Sequence, residues 1–129
     1  MEKLLYILLA TKQAVKQYHW LAKSYQEHIL ADQLEDGLEG YIDEVAELLL
    51  VTDESANVGA KYLLERAENY LNGKTTIDLL VLWDLFADIM QQAQMVNDEE
   101  KVLGIADLTG RLSNLALRKM YLIKLQTGK

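Results

Sequence analysis

Apolar residues recur at steps of three and four along most of the chain, the spacing that places side chains on one face of an α-helix. The first such stretch predicts a helix over about residues 2–22. A capping box formed by Ser24 and Glu27 then predicts the start of a second helix, whose periodicity continues to about Val51. This is the longest helix that the sequence predicts. The apolar stripe of the first helix consists of Leu4, Leu8, Val15, His19 and Ala22.

Three more helices are predicted in the second half of the chain. A short one covers residues 60–71 and ends before Asn72 and Gly73. A third long helix is capped within Thr75–Asp78 and ends near Met95, and a fourth is capped by Asn97–Glu100. The stripe of the third long helix is Leu79, Leu82, Trp83, Phe86, Ile89 and Met90. That of the fourth is Ile105, Leu108, Leu112, Leu115, Met120 and Ile123.

The order and length of these helices predict an all-α fold. Four long helices, with a longer passage between the second and third, match a four-helix bundle whose crossover carries the short extra helix. The chain has 129 residues, half of them hydrophobic. Such a length is typical of one domain with its own core, so we expect residues 1–129 to form a single domain.

Composition excludes several classes of function. The chain has no cysteine, which excludes disulfides, thiolate catalysis and cysteine-ligated zinc. Its net charge is −7 and its basic residues are scattered, so a nucleic-acid partner is disfavoured. No window approaches the roughly 20 apolar residues of a membrane span. No signal-peptide cleavage site follows the first apolar run either. We therefore expect no membrane association and a cytoplasmic location.

Four residues of metal-ligand type lie on the long second helix: His28, Asp32, Asp43 and Glu47. On a regular helix they fall within an arc of roughly 100° and thus share one face. However, Asp32 and Asp43 would be roughly 16 Å apart. Metal–ligand bonds are only about 2 Å long. One straight helix therefore cannot bring both pairs to the same ion.

A second copy of the helix removes this obstacle. If two copies cross antiparallel about a two-fold axis centred between Gly37 and Leu38, His28 faces Glu47 of the other copy. Asp32 then faces Asp43 in the same way. Glycine near the axis allows close approach of two backbones, which offsets its cost of about 1 kcal/mol within a helix. The spacing predicts a metal site shared between two chains.

The residues of this region resemble the Dps family of miniferritins. The similar elements are the pair His19-Trp20, the motif His28-x-x-x-Asp32, and the run Asp43-Glu-x-Ala-Glu47. The resemblance implies a ferritin-like bundle and a hollow dodecameric cage built from two-fold dimers. It also implies a ferroxidase centre with His19, His28 and Asp32 from one subunit. Asp43 and Glu47 would come from its two-fold mate.

The function implied by the resemblance is iron storage. Members of the family oxidise Fe²⁺ with hydrogen peroxide or dioxygen and protect the cell against oxidative damage. This chain differs in having a shorter segment between His19 and His28, and Leu48 where an arginine is usual. It also lacks a lysine-rich tail, so DNA binding by such a tail is not expected.

Other interpretations remain open from the residues alone. Zinc or manganese is an alternative to iron in such a ligand set, and a non-catalytic oligomeric scaffold is an alternative to a metal protein. A His on an apolar stripe, as His19 is, often forms a hydrogen bond in the core. Glu47 has apolar neighbours in the sequence, which predicts a buried carboxylate that needs a cation. An intra-subunit di-iron site is disfavoured because the sequence has no Glu-x-x-His motif.

Overall fold

The computed structural model describes residues 1–72, 74 and 76–128. These residues form helices and connecting turns without a β-strand, so the predicted all-α class is confirmed. None of the helices in this part of the chain combines the length and the hydropathy that a membrane span needs. The helices are α1 (Glu2–Trp20), α2 (Tyr25–Glu35), α3 (Leu38–Thr52), α4 (Ala60–Tyr70), α5 (Leu79–Glu100) and α6 (Leu103–Thr127).

The turn between α1 and α2 has the predicted capping pair of Ser24 and Glu27, although Glu27 reaches back to the N–H of Lys23 and not to that of Ser24. The Ser24 hydroxyl accepts a hydrogen bond from the Glu27 N–H at 3.1 Å. In return, the Glu27 carboxylate accepts from the Lys23 N–H at 3.0 Å. Both bonds satisfy N–H groups that would otherwise lack a partner at the helix start. The chain therefore reverses within a few residues, and α2 packs back along α1.

The prediction that the second helix runs unbroken to Val51 is wrong. The structure divides it at Asp36 and Gly37 into α2 and α3. Asp36 has φ −55° and ψ 126°, and Gly37 has φ 87° and ψ −15°, which are the angles of a type II turn. The positive φ at Gly37 is the conformation that glycine adopts without a steric cost. Gly37 thus serves to break the helix.

The α2–α3 rod, residues 25–52, nevertheless stays alongside α1 on both sides of this break. Lys16 pairs with Glu35 at 2.7 Å before the turn, and Lys12 pairs with Glu39 after it. The two lysines are one turn apart on α1, and the two glutamates are equally spaced along the rod. The break therefore bends the rod without reversing its direction.

The boundary between α5 and α6 also differs from the prediction. Asn97–Glu100 forms the last turn of α5 and does not cap the next helix, because α6 begins at Leu103. Lys101, at φ 50°, ends α5. At the start of α5 the predicted cap is Asp78, whose carboxylate accepts from the Val81 N–H at 2.9 Å. Gly73 and Thr75, part of the predicted stop and cap, lie outside the described residues.

The long helices enclose one hydrophobic core. Helix α1 packs against α2, α3, α4 and α5, while α6 packs against α5, α2 and α3. The short α4 lies on α1, where the Tyr62 hydroxyl donates to the Glu2 carboxylate at 2.6 Å. The largest fully buried side chains are Phe86, Leu4, Leu5, Ile7, Leu8, Leu34, Leu38, Leu82, Leu85, Ile89, Ile105 and Leu108.

Phe86→Ala should lower the free energy of unfolding by about 3–5 kcal/mol, because it removes a large, fully buried side chain and leaves a cavity. Leu80→Ala on the same helix is the control. Leu80 is 68% exposed, so its replacement should change the free energy of unfolding by less than about 0.5 kcal/mol. Urea unfolding monitored by circular dichroism measures both. Equal effects of the two substitutions would contradict the assigned core.

Candidate metal centre

Three of the predicted ligands converge where α2 packs against the end of α1. His19 lies in the last turn of α1, and its side chain is 21% exposed. His28 and Asp32 lie one turn apart on α2 and point back toward His19. The capping box at Ser24 sets this arrangement, because it starts α2 close enough to α1 for the first two turns to face His19.

The three side chains are close enough to share one ion. His19 Nε2 lies 3.2 Å from His28 Nε2, and the imidazole rings meet edge to face at 88°. His19 Nδ1 lies 3.4 Å from Asp32 Oδ1. One ligand atom from each residue can be chosen so that all three lie within 4.8 Å of one another.

The spacing of the two imidazoles fits a metal ion. Two nitrogens bound to one ion at about 2.1 Å, with ligand–metal–ligand angles near 90–110°, are roughly 3.0–3.4 Å apart. The same 3.2 Å separation also permits an N–H···N hydrogen bond between the two histidines when no metal is bound. The cluster offers two imidazoles and a carboxylate, a mixed set suited to first-row divalent ions.

His19 Nδ1 is a buried polar atom that has no hydrogen-bond partner within the described residues. Asp32 is the nearest carboxylate, at 3.4 Å, but the geometry is too poor for a hydrogen bond. A small rotation of Asp32 would let it accept from His19 Nδ1–H. That contact would fix the tautomer in which Nε2 is free to bind a metal. Asp32 can therefore serve either as a ligand or as the group that orients His19.

The other two predicted ligands are not part of this cluster. Asp43 and Glu47 are exposed on α3, beyond the break, and form no ion pair within the described part of the chain. The expectation that Glu47 is buried among apolar neighbours is wrong, because its neighbours Val45 and Leu49 face the core while Glu47 faces outward. Asp43 and Glu47 could therefore bind the same ion as His28 only if they belonged to a second chain.

Glu44 lies beside these two acids but is already engaged. Arg111 of α6 holds the Glu44 carboxylate through two hydrogen bonds of 2.5 and 3.1 Å. These bonds lower the pKa of Glu44 below its ordinary value. The sequence did not predict this pair, since nothing in the spacing of residues 67 positions apart indicates contact. The pair connects α3 to α6. Because Glu39 pairs with Lys12, Asp43 and Glu47 are the acids of this helix that form no ion pair within the described residues.

Comparisons of the chain with protein-family models, curated proteins and solved structures give no match. The functional assignment therefore depends on the residues of the cluster and their chemistry.

Asp32→Asn should weaken Zn²⁺ or Co²⁺ binding at least about tenfold, because an amide neither carries the charge of a ligand nor orients His19 as a carboxylate does. Isothermal titration calorimetry measures the change. Asp84→Asn is the matched control, since it removes the same charge from an exposed position on α5. Equal affinities in the two variants would exclude Asp32 from the site.

Proposed function

We propose that the chain is an iron-binding ferroxidase of the ferritin-like, Dps type, with Fe²⁺ as its substrate. The observation that carries this proposal is the convergence of His19, His28 and Asp32 within 4.8 Å. Two imidazoles and a carboxylate bind a divalent first-row ion while leaving positions open for further ligands and an oxidant. Zinc or manganese in the same position is the alternative that metal analysis would reveal.

The arrangement of the helices supports a ferritin-like bundle. Helix α1 and helix α6 each contact both the α2–α3 rod and α5. The four long units thus surround the core with α1 and α6 on one diagonal. The crossover between the rod and α5 carries the short α4. A four-helix bundle with one long crossover is the ferritin-like arrangement.

The outward position of Asp43 and Glu47 supports completion of the site by a two-fold mate. Their spacing places them opposite Asp32 and His28 of a second chain, about an axis that passes through the break at Gly37. The break modifies this symmetry argument, because the rod is bent where the straight-helix version assumed continuity. The bend lies at the axis and is the same in both chains, so the pairing depends on the angle that the break gives to α3.

Exposed apolar residues lie near both ends of the rod, at equal sequence distances from the proposed two-fold axis. Tyr25 is 78% exposed at the start of α2, and Leu50 is 49% exposed near the end of α3. Their positions are equidistant from the centre between Gly37 and Leu38, so each would meet the other across the axis. Val51, 78% exposed, lies beside Leu50. Burial of such side chains against a second chain would favour association, because it removes apolar surface from water.

The middle of this surface is strongly acidic, which makes association dependent on cations. Two copies would place like charges opposite one another, an unfavourable arrangement unless positive charge lies between them. Divalent ions bound by the two histidine clusters would supply that charge. The exposed acids of the surface are Asp32, Asp36, Asp43 and Glu47, whereas the exposed Glu39 pairs with Lys12 of α1.

The protein would contribute to Fe²⁺ oxidation by stabilising the charge of the oxidised ion. Each of two Fe²⁺ ions gives one electron to hydrogen peroxide, which takes up two protons and leaves as two water molecules. Carboxylates stabilise Fe³⁺ more than Fe²⁺, so Asp32 with the partner's Asp43 and Glu47 favours the oxidised ion. We extend the proposal to a cytoplasmic homo-oligomer, a twelve-subunit cage built from two-fold dimers, that stores iron and limits oxidative damage.

Asp43→Ala combined with Glu47→Ala should abolish the Fe³⁺ absorbance that follows anaerobic Fe²⁺ loading and addition of peroxide, because half of the shared site is lost. Asp84→Ala with Glu99→Ala removes two exposed acids from α5 and serves as the control. Oxidation should stay at the wild-type rate in the control. An unchanged rate in the first variant would remove both acids from the site.

Sharing between chains predicts complementation of two inactive variants. A chain with His19→Ala and His28→Ala lacks one half of the site, and the Asp43→Ala, Glu47→Ala chain lacks the other half. Each mixed dimer regains one intact site, so refolding an equimolar mixture should restore up to about a quarter of the wild-type sites. Stopped-flow absorbance measures the restored rate. A mixture as inactive as its components would contradict a shared site.

Leu50→Asp should shift the protein toward monomer in the presence of Fe²⁺ or Co²⁺. The substitution removes an apolar side chain near the end of the rod and adds a negative charge to a surface that is already acidic. Leu80→Asp changes an exposed leucine of α5 outside this surface and should leave the mass unchanged. Light scattering after size-exclusion chromatography gives the mass of each variant. A wild-type protein that stays monomeric with metal would favour another function for the cluster.

A further inference from the structure

The break in the rod is held by a residue from another helix. Lys119 of α6 is almost fully buried, with 7% of its surface exposed. Its ammonium group donates a hydrogen bond of 2.5 Å to the backbone carbonyl of Gln33 in the last turns of α2. In an unbroken helix that carbonyl would accept from the N–H of Gly37. Lys119 therefore occupies the acceptor that the break leaves free.

The electrostatics of the break favour a cation at this position. The end of α2 has no basic residue of its own in its last turn. The carbonyls at a helix C-terminus carry partial negative charge, which a nearby cation stabilises. Burial lowers the pKa of Lys119, and the negative charge of Asp36 acts in the opposite direction. Such a buried ammonium needs its polar contacts, so its position and that of the break depend on each other.

Helix α6 contacts the same break through a second residue. A Cβ at Gly37 would lie 3.5 Å from Leu115 Cδ1, so the turn packs directly against α6. Leu115 and Lys119 are one helical turn apart and share a face. The turn thus has an apolar contact and a charged contact from one neighbouring helix. We call residues 35–38, together with these two contacts, the joint.

The joint lies between the two predicted ligand pairs. His28 and Asp32 precede it on α2, whereas Asp43 and Glu47 follow it on α3. Its angle therefore determines where the second pair lies relative to the first. At a metal site whose bonds are about 2 Å long, a small rotation of α3 moves Asp43 and Glu47 out of reach of a partner's ion.

We propose that Lys119 is a positioning residue, which holds the joint so that Asp43 and Glu47 meet the His19–His28–Asp32 cluster of a second copy. This role presupposes the shared iron site proposed above. Lys119 does not touch the ion. Its loss leaves the histidine cluster within each chain intact and changes the direction of α3.

Lys119→Met tests this role in the full chain, because methionine keeps an unbranched stem and removes the buried charge. Arg118→Met is the matched control, since it removes a neighbouring positive charge from an exposed position. The chain has no cysteine, so spin labels attach selectively to cysteines introduced for Gln26 and Thr52, on either side of the joint. Labelled chains are diluted with unlabelled chains, and pulsed electron paramagnetic resonance measures the distance within one chain.

Lys119→Met should shift or broaden this distance, while Arg118→Met should not. The rate of Fe²⁺ oxidation should fall about tenfold in Lys119→Met, the lower range for loss of a residue that positions metal ligands. The affinity of the histidine cluster for Co²⁺ should stay unchanged. A general loss of structure would reduce both binding and oxidation, whereas a positioning role reduces oxidation alone.

An unchanged distance or an unchanged oxidation rate in Lys119→Met would overturn the proposal. If the wild-type protein oxidises no iron, the proposed function fails and the positioning role fails with it. Should Lys119→Met not fold, two Gly37 variants decide. Asn tolerates the left-handed backbone and alanine does not, so Gly37→Ala should shift the distance and slow oxidation while Gly37→Asn retains both. Gly37→Ala with wild-type values would equally overturn the role of the joint.

Discussion

The packing of α1 against the α2–α3 rod is the contact on which the rest of the structure depends. It places His19 beside His28 and Asp32, and it buries the apolar stripes of both units in the core. The ion pairs from Lys12 and Lys16 follow the same register along the rod. Because metal ligands must converge to within a few ångströms, this register decides which donors can act together.

The same packing divides the predicted ligands into two groups. The donors before the break face α1 within their own chain, and the acids after the break face outward. A protein that used all of them inside one chain would have to fold the rod back on itself. A protein that pairs two chains needs only a defined angle at the break. The proposed function corresponds to the second arrangement.

Acidic residues have different roles in this protein that their spacing does not reveal. Glu35 and Glu39 neutralise lysines of α1, and Glu44 binds Arg111. These contacts leave Asp43 and Glu47 as outward-facing carboxylates. The distinction matters because a carboxylate in an ion pair is a poorer metal ligand than one whose charge is uncompensated.

Local patterns determined most of the secondary structure. The apolar periodicity of α1 and α4, the capping box at Ser24 and the cap at Asp78 depend on neighbouring residues, so they are visible in the sequence. The spacing also indicated His28 and Asp32 as a pair, and the position of His19 on its apolar stripe indicated a histidine on the core-facing side of α1.

The break at Gly37 and the contacts across helices were decided by the tertiary structure. A glycine within a periodic apolar pattern is compatible with a continuous helix or with a turn. In the fold, Leu115 and Lys119, which are distant in sequence, contact this region. The exposure of Glu47 and the pairing of Glu44 with Arg111 likewise depend on which helix covers each face. Periodicity gives the faces of a helix, whereas the neighbours that cover them come only from the packed fold.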